Sequence, residues 1–326
     1  MHPMLQGLLT IGIGVTACVG YFYLSKLVLD RVIFPARGPN AGSNINRANK
    51  VRPWLFLFPA IFALGLYLVY PVVGSFWRSL FDRSGANFIG LGNYVALANA
   101  GEFRQSVFNN LLWILVVPAA STFFGLVAAQ LTDRLAWGNI AKSLIFMPMA
   151  ISFVGASLIW RFVYANNPDI GLINAVREVF GASAPIDVVQ IPFWNNFFLM
   201  LILIWIQTGF AMVILSAALR GIPEETVEAA VLDGANPCQI FFKIKVPQII
   251  GTIVVVWTTI TILVLKVFDI VYTMTGGNFG TQILPSYMMT YMFRDDGRAT
   301  AVAFVIMLIV LPVMAWNIVQ ARRETR

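Results

Sequence analysis

Residues 220–248 read RGIPEETVEAAVLDGANPCQIFFKIKVPQ, a long polar stretch with internal order set between two apolar runs, 196–219 and 249–272. Pro223 suits a first helical turn, and Glu224 and Glu225 favour its positive N-terminal end. Val227, Ala230 and Val231 then recur at helical spacing. Gly234, followed by Asn236 and Pro237, ends this helix and starts a second over Ile240 to Val246, where Phe241, Ile244 and Lys245 come near one another before Pro247. The spacing predicts an amphipathic helical hairpin, able to lie on lipid or insert into a groove of another protein.

The flanking runs set its surroundings. Of 326 residues, 59% are hydrophobic and 11% are charged, with a mean hydropathy of +0.78. A soluble chain carries roughly a quarter charged residues, so lipid is the expected solvent. About 20 mostly apolar residues cross a bilayer as a helix. Seven runs qualify, at 5–25, 54–77, 107–131, 142–163, 196–219, 249–272 and 299–319. The expected fold is all-α, a polytopic membrane protein of about seven transmembrane helices. It divides into an N-terminal anchor helix over 1–34, a cytoplasmic linker over 35–53, flexible by its Pro, Gly and Asn content, and a six-helix core over 54–326. The first run lacks a basic region before it and a small-residue cleavage pattern, which reads as an uncleaved anchor.

Lysine and arginine placement orients the chain. With the C-terminus in the cytoplasm, fourteen of the 22 basic residues fall on that side, including Lys26, Arg31, Arg134, Lys142, Lys243, Arg322, Arg323 and Arg326, and seven fall opposite. Lys266 lies within a span. The N-terminus is then outside, and the hairpin is cytoplasmic. The segments 164–195 and 273–298 face outward; composition alone leaves open whether they are ordered for an external partner or are unconstrained loops.

Several functions lose their chemistry. His2 is the one histidine, and Cys18 and Cys238 form neither a CxxC pair nor a disulfide framework, so histidine acid/base catalysis and His/Cys metal sites have nothing to build on. No Gly-Lys dipeptide occurs, which excludes a P-loop. The net charge of +7 is scattered between apolar runs, unlike a nucleic-acid face. An intramembrane enzyme would show paired carboxylates or histidines at the membrane face; the pair Asp295 and Asp296 lies in an outer loop. A passive channel would leave the hairpin unexplained.

Glu228-Ala229-Ala230, then Asp233-Gly234-Ala235, Phe241, Ile244 and Pro247 resemble, in order and spacing, the EAA signature of binding-protein-dependent ABC import permeases. The departures are Val246 for the usual leucine and Gly251 where a second proline is common. The resemblance extends over most of 54–326. Leu57-Phe58-Pro59, Tyr70-Pro71, Ser79, Phe88-Ile89-Gly90-Leu91 with Asn93-Tyr94, Phe108-Asn109 and Gly171-Leu172-Ile173-Asn174 are similar to sugar permeases of the maltose and glycerol-phosphate class, as is the Phe268-Asp269 to Thr275-Gly276-Gly277 pattern. General similarity within the class, including the extra first helix, is to α-glucoside permeases.

That resemblance implies a non-enzymatic transport subunit of a bacterial cytoplasmic (inner) membrane. Its implied function is ATP-driven import of an α-glucoside or other disaccharide or oligosaccharide by alternating access, or alternatively of a polyol, glycosylglycerol or glycerol-phosphate. The implied partners are a second homologous permease, a cytoplasmic ABC ATPase dimer, a periplasmic or extracellular sugar-binding protein, the sugar and membrane lipid, with no nucleic acid. No catalytic residue, metal or directly bound cofactor is implied; ATP and Mg belong to the ATPase. The first hairpin helix is the implied coupling element, with Glu228, Ala229, Ala230, Asp233, Gly234 and Ala235 as its residues.

The resemblance implies that the span 196–219 and the Lys266–Asp269 segment hold the sugar, whose recognition needs an aromatic face for C–H surface and amides or hydroxyls for the rim. Trp205, Gln207, Thr208 and Phe210 supply both on one span. A charge inside a span costs about 2.5–3.5 kcal/mol by insertion scales, which draws attention to Lys266 and Asp269, spaced to pair on one helix. Each has an alternative: polar groups glue helices together, and Lys266 can snorkel. Asn109, Asn110 and Gln130 read as packing residues.

Overall fold

The computed structural model describes residues 3–37, 41–133, 135–182 and 184–324. Among these the β-pairing consists of an isolated bridge, Phe81 to Phe88. In chain order the helices are α1 (Pro3–Val28, continued by the π-helical turn Leu29–Ile33) and α2 (Ala41–Leu64, running through the π-helical turn Gly65–Val69 into Tyr70–Ser79). Next come α3 (Gly92–Asn99), α4 (Gly101–Thr132) and α5 (Gly138–Phe146, with a 3-10 turn Met147–Ala150). They are followed by α6 (Phe153–Val163), α7 (Leu172–Val179), α8 (Trp194–Arg220) and α9 (Glu224–Leu232). The last are α10 (Pro237–Gln248, π-helical over Ile240–Lys245), α11 (Ile250–Val264), α12 (Asp269–Thr275), α13 (Leu284–Tyr291) and α14 (Asp296–Glu324).

Among the described residues five helices are long and apolar enough to cross a membrane, and seven crossings result if each bent pair counts as one. The expected span 142–163 is one such pair: α5 with its 3-10 turn meets α6 at 105°. Pro148 sits in the tight turn, and Ser152 restarts the chain as an N-cap, its Oγ accepting from Gly155 N–H at 3.1 Å. The second pair is α10 and α11, bent by 70°. The expected span 249–272 stops at Val264, and α12 begins afresh at Asp269. Lys266 and Asp269 therefore do not share a helix, and they form no ion pair; charges that a continuous apolar helix would have to bury sit at its interruption instead.

The linker expectation is also corrected. From Ala41 the chain is helical and runs without interruption into the next span, with Ala48 buried. Pro53 is accommodated inside the helix, so the composition that suggested flexibility does not break it. Compact packing divides the chain at Met1–Gly74 and Ser75–Arg326, so the expected boundary after residue 53 falls inside a helix. Among the basic residues used for orientation, Arg134, Arg326 and the side chains of Arg322 and Arg323 lie outside the described part of the structure, as does His2.

In the first unit, the Tyr21 hydroxyl donates to Leu55 O at 2.8 Å, the Tyr21 and Phe58 rings stack, and Arg52 pairs with Asp30 at 2.8 Å. The most apolar windows of α1 and α2 bury nothing, whereas 61% of the corresponding window of α8 is buried. In the second unit α8 is thus the central helix. Close approach at glycines makes this possible: a Cβ on Gly125 of α4 would strike the Ala211 methyl and come within 2.9 Å of Met212 N, and one on Gly209 would come within 2.6 Å of Ile145 O. Trp113, 1% exposed, donates its indole N–H to Asn196 Oδ1 at 3.4 Å. A smaller apolar cluster joins α3, α13 and α14 through Leu97, Tyr287 and Val302.

Candidate functional site

The α5–α6 bend and the break between α11 and α12 meet at a cavity of about 430 Å³, lined among others by Ile151, Ser152, Leu263, Asp269 and Gln207. That is within the range of small-molecule sites, roughly 300–1,000 Å³. Non-helical backbone at membrane depth is tolerated where it lines a cavity. Gln207 is 4% exposed, and what surface it keeps faces this cavity. An amide on a cavity wall can donate to and accept from whatever fills the cavity. Asp269 opens α12, where a carboxylate suits the positive helix end.

The other expected contacts lie elsewhere. Trp205 packs edge-on against Trp160 with centroids 5.8 Å apart. The Thr208 hydroxyl donates to Ile204 O at 2.7 Å, within its own helix. Phe210 packs against the main apolar core. Lys266 is exposed at the interruption. Helical spacing puts Trp205 with Thr208 and Gln207 with Phe210 on two faces of one helix, but it does not say which face meets the cavity. Ser152 was missed: a single serine in an apolar run carries no signal until the bend is known.

The hairpin has the geometry its sequence predicts. α9 ends in a Schellman motif: Ala235 N–H donates to Ala230 O at 2.9 Å and Gly234 N–H to Val231 O at 3.0 Å, with Gly234 at φ +80°. Asn236 and Gln239 then close a reciprocal capping box, at 2.8 and 2.9 Å, which starts α10 three residues ahead of the expected Ile240. Ala230 is buried, but Val231 and Leu232 are exposed, Leu232 at 88%. Glu228, Ala229 and Asp233 are exposed as well. A recess of about 540 Å³ beside the hairpin is lined by Arg220, Glu224, Val227, Glu228 and Lys245.

Between cavity and hairpin lies a polar cluster that no motif announces. One oxygen of Asp133, just past α4, accepts from Lys142 Nζ of α5, from Ser216 Oγ at 3.0 Å, and from Arg220 Nε and Nη2 at 3.0 and 2.9 Å, the last two residues being on α8. Lys142 also donates to Ser216 Oγ at 2.6 Å. Burial raises the Asp133 pKa, but the bonds from Lys142, Arg220 and Ser216 outweigh it and hold the carboxyl below its ordinary value.

The segments expected to face outward are ordered. Asn174 of the Gly171–Asn174 motif donates to Ala165 O and Ile186 O and accepts from Ile186 N–H, closing the segment between α6 and α8. Asn109 donates to Gly280 O and Gln282 O, Asn110 accepts from Leu284 N–H, and Asn195 donates to Phe279 O. Asn109 and Asn110 are packing residues, as expected. In the opening motif, Asn93 donates to Ser79 O and Phe81 O, and the Ser79 and Tyr94 hydroxyls pair at 2.6 Å.

An exposed hairpin, its turn closed by its own hydrogen bonds, is thus joined by one buried helix to a cavity at broken spans. Residues 89–326 match the family described as binding-protein-dependent transport system inner membrane component, and the chain belongs to that family. It is a multi-pass permease subunit of an ABC importer and not itself an enzyme. It is 62% identical, over 100% of its length and 99% of the relative's, to the alpha-glucoside transport system permease protein AglF of Rhizobium meliloti (strain 1021). Over 81% of its length and 96% of the relative's, it is 47% identical to the osmoprotective compounds uptake permease protein GgtC of Synechocystis sp. (strain ATCC 27184 / PCC 6803 / Kazusa). A chain in the crystal structure of a bacterial alginate ABC transporter, in complex with an alginate pentasaccharide-bound periplasmic protein, superposes with a TM-score of 0.71 at 19% identity, covering 88% of this chain and 99% of that one. That likeness establishes the fold.

Proposed function

We propose that this subunit imports an α-glucoside or a related disaccharide or oligosaccharide by alternating access, forming half of a pore with a second, homologous permease. The observation that carries the substrate class is the 62% identity, running the whole length of the chain, to a permease named for alpha-glucosides. The cavity is compatible with that chemistry: the Gln207 amide, the Asp269 carboxylate and the Ser152 hydroxyl can serve sugar hydroxyls, and apolar walls at Ile151 and Leu263 suit C–H surface. A polyol or glycosylglycerol is the second reading, favoured by the 47% identical relative named for osmoprotective compounds.

The hairpin is the docking element for a cytoplasmic ABC ATPase dimer, which holds ATP and Mg. Its exposed Glu228, Ala229 and Leu232 face the partner, while buried Ala230, the Asp233–Ala235 turn and Gly234 set the helix angle. The C-terminus is then cytoplasmic, the N-terminus outside, and the asparagine-braced segments meet a sugar-loaded binding protein. The test is ATP hydrolysis by the assembled complex in proteoliposomes with binding protein and a panel of sugars. Stimulation by α-glucosides supports the reading; stimulation by a polyol with none by α-glucosides overturns the substrate class.

A further inference from the structure

We propose that Asp133 is a positioning residue that ties the hairpin to the cavity wall, its bond to Arg220 being made in one transport state and broken in the other. The inference rests on the hairpin being the ATPase-docking element. Among the described residues, no other carboxylate accepts from three side chains of other positions as Asp133 does from Lys142, Ser216 and Arg220. The three belong to the two elements that also wall the cavity: α5, whose 3-10 extension leads to Met149 and Ser152, and α8, which carries Gln207. Arg220 is the last residue of α8, and Gly221 to Pro223 join it to α9. A displacement of α9 therefore reaches Arg220 first, and through Asp133 it reaches α5.

Burial separates a fixed arm from a releasable one. The Lys142 and Asp133 side chains are 15% and 19% exposed, and Ser216, with 4% of its surface exposed, completes the inner triangle. Breaking that arm would strand a buried charge. The Arg220 side chain is 61% exposed, so its guanidinium can return to water at little cost. One carboxylate thus holds α5 and α8 together permanently and engages the start of the hairpin conditionally.

The test is the ratio of sugar transported to ATP hydrolysed by the complete complex in one vesicle preparation, for Asp133→Asn, Arg220→Gln and the double variant. Each single change is expected to lower the ratio roughly fivefold or more, the lower end of typical coupling between sites. Asp133→Glu should restore part of it, and Arg220→Gln should lower it no further once Asp133 is Asn. Transport and hydrolysis falling in proportion, or additive losses in the double variant, would overturn the proposal. If Asp133→Asn does not reach the membrane, Arg220→Gln alone decides: an unchanged ratio overturns the latch. Gly234→Val reports separately on the parent reading; a wild-type ratio in that variant means that the hairpin reading has failed, whatever Asp133 does.

Discussion

The two ends of the path along α8 are held by opposite means. At the hairpin every turn is closed by its own hydrogen bonds, the Schellman pair after Ala230 and the capping box at Asn236. At the cavity the walls come from breaks in the helices: Ser152 caps the start of α6, Asp269 opens α12, and Gln207 faces the space between them. Each region gets its shape from a different source. The hairpin is a body that can be moved intact, whereas the cavity exists only where separate elements meet.

The comparison breaks most completely if the helix that joins the two regions is lost. Gly125→Leu puts a side chain where Ala211 and the backbone at Met212 already sit, and Gly209→Val meets Ile145 O. Overpacking of this kind costs about 1–3 kcal/mol where neighbours can shift, and here the obstacles include backbone. Both variants should lower the amount of folded protein in the membrane severalfold, measured by fluorescence-detected size exclusion.

Next in size is the hairpin turn. The added Cβ of any residue at Gly234 meets open space, so its φ of +80° alone sets the requirement. A left-handed residue other than glycine or asparagine costs roughly 1–2 kcal/mol. Gly234→Val should abolish sugar uptake with membrane levels retained, while Gly234→Asn keeps most of it. At the cavity, Gln207→Ala removes the wall amide and should raise the sugar concentration for half-maximal stimulation by about tenfold, in line with about 1–1.5 kcal/mol for a hydrogen bond. Trp205→Phe, away from the cavity, should leave it unchanged.

These contrasts also say what could be read in advance. Gly234 and Asn236 act on backbone within five residues, so the hairpin was legible from local chemistry, and the family residues around it agreed. The apolar runs likewise announced the spans. The bends were not legible: 142–163 is a mostly apolar run, and its 105° turn at Pro148 and Ser152 goes with a close approach of α8, through Gly209, to Ile145 and Phe146, which lie more than sixty residues earlier in the chain. Asp133 was invisible for a similar reason, since its partners lie 9, 83 and 87 residues away. The linker misled in the other direction, its Pro, Gly and Asn content being overridden from Ala41 by continuity with a long helix.

Smaller effects sharpen the picture. Because its donors hold the Asp133 carboxyl below the ordinary value of 3.8, its contribution is fully present above that value and is lost as pH falls through the lowered one. The thermal midpoint difference between wild type and Asp133→Asn in detergent should therefore stay constant from about pH 8 to pH 5. In the first unit, Tyr21→Phe removes a single bond to Leu55 O and should cost about 0.6 kcal/mol, the mean for such bonds in membranes.

The account stands most directly on the claim that the tip of the hairpin meets an ATPase. Leu232 is 88% exposed at that tip, and Phe180, 86% exposed, lies in the segment between α7 and α8. In the assembled complex, with Cys18 and Cys238 replaced by serine, Leu232→Cys should cross-link to the ATPase subunit with a yield that changes when nucleotide is added, and Phe180→Cys should give no such product. Equal products from both positions, or none from Leu232→Cys, would contradict the account.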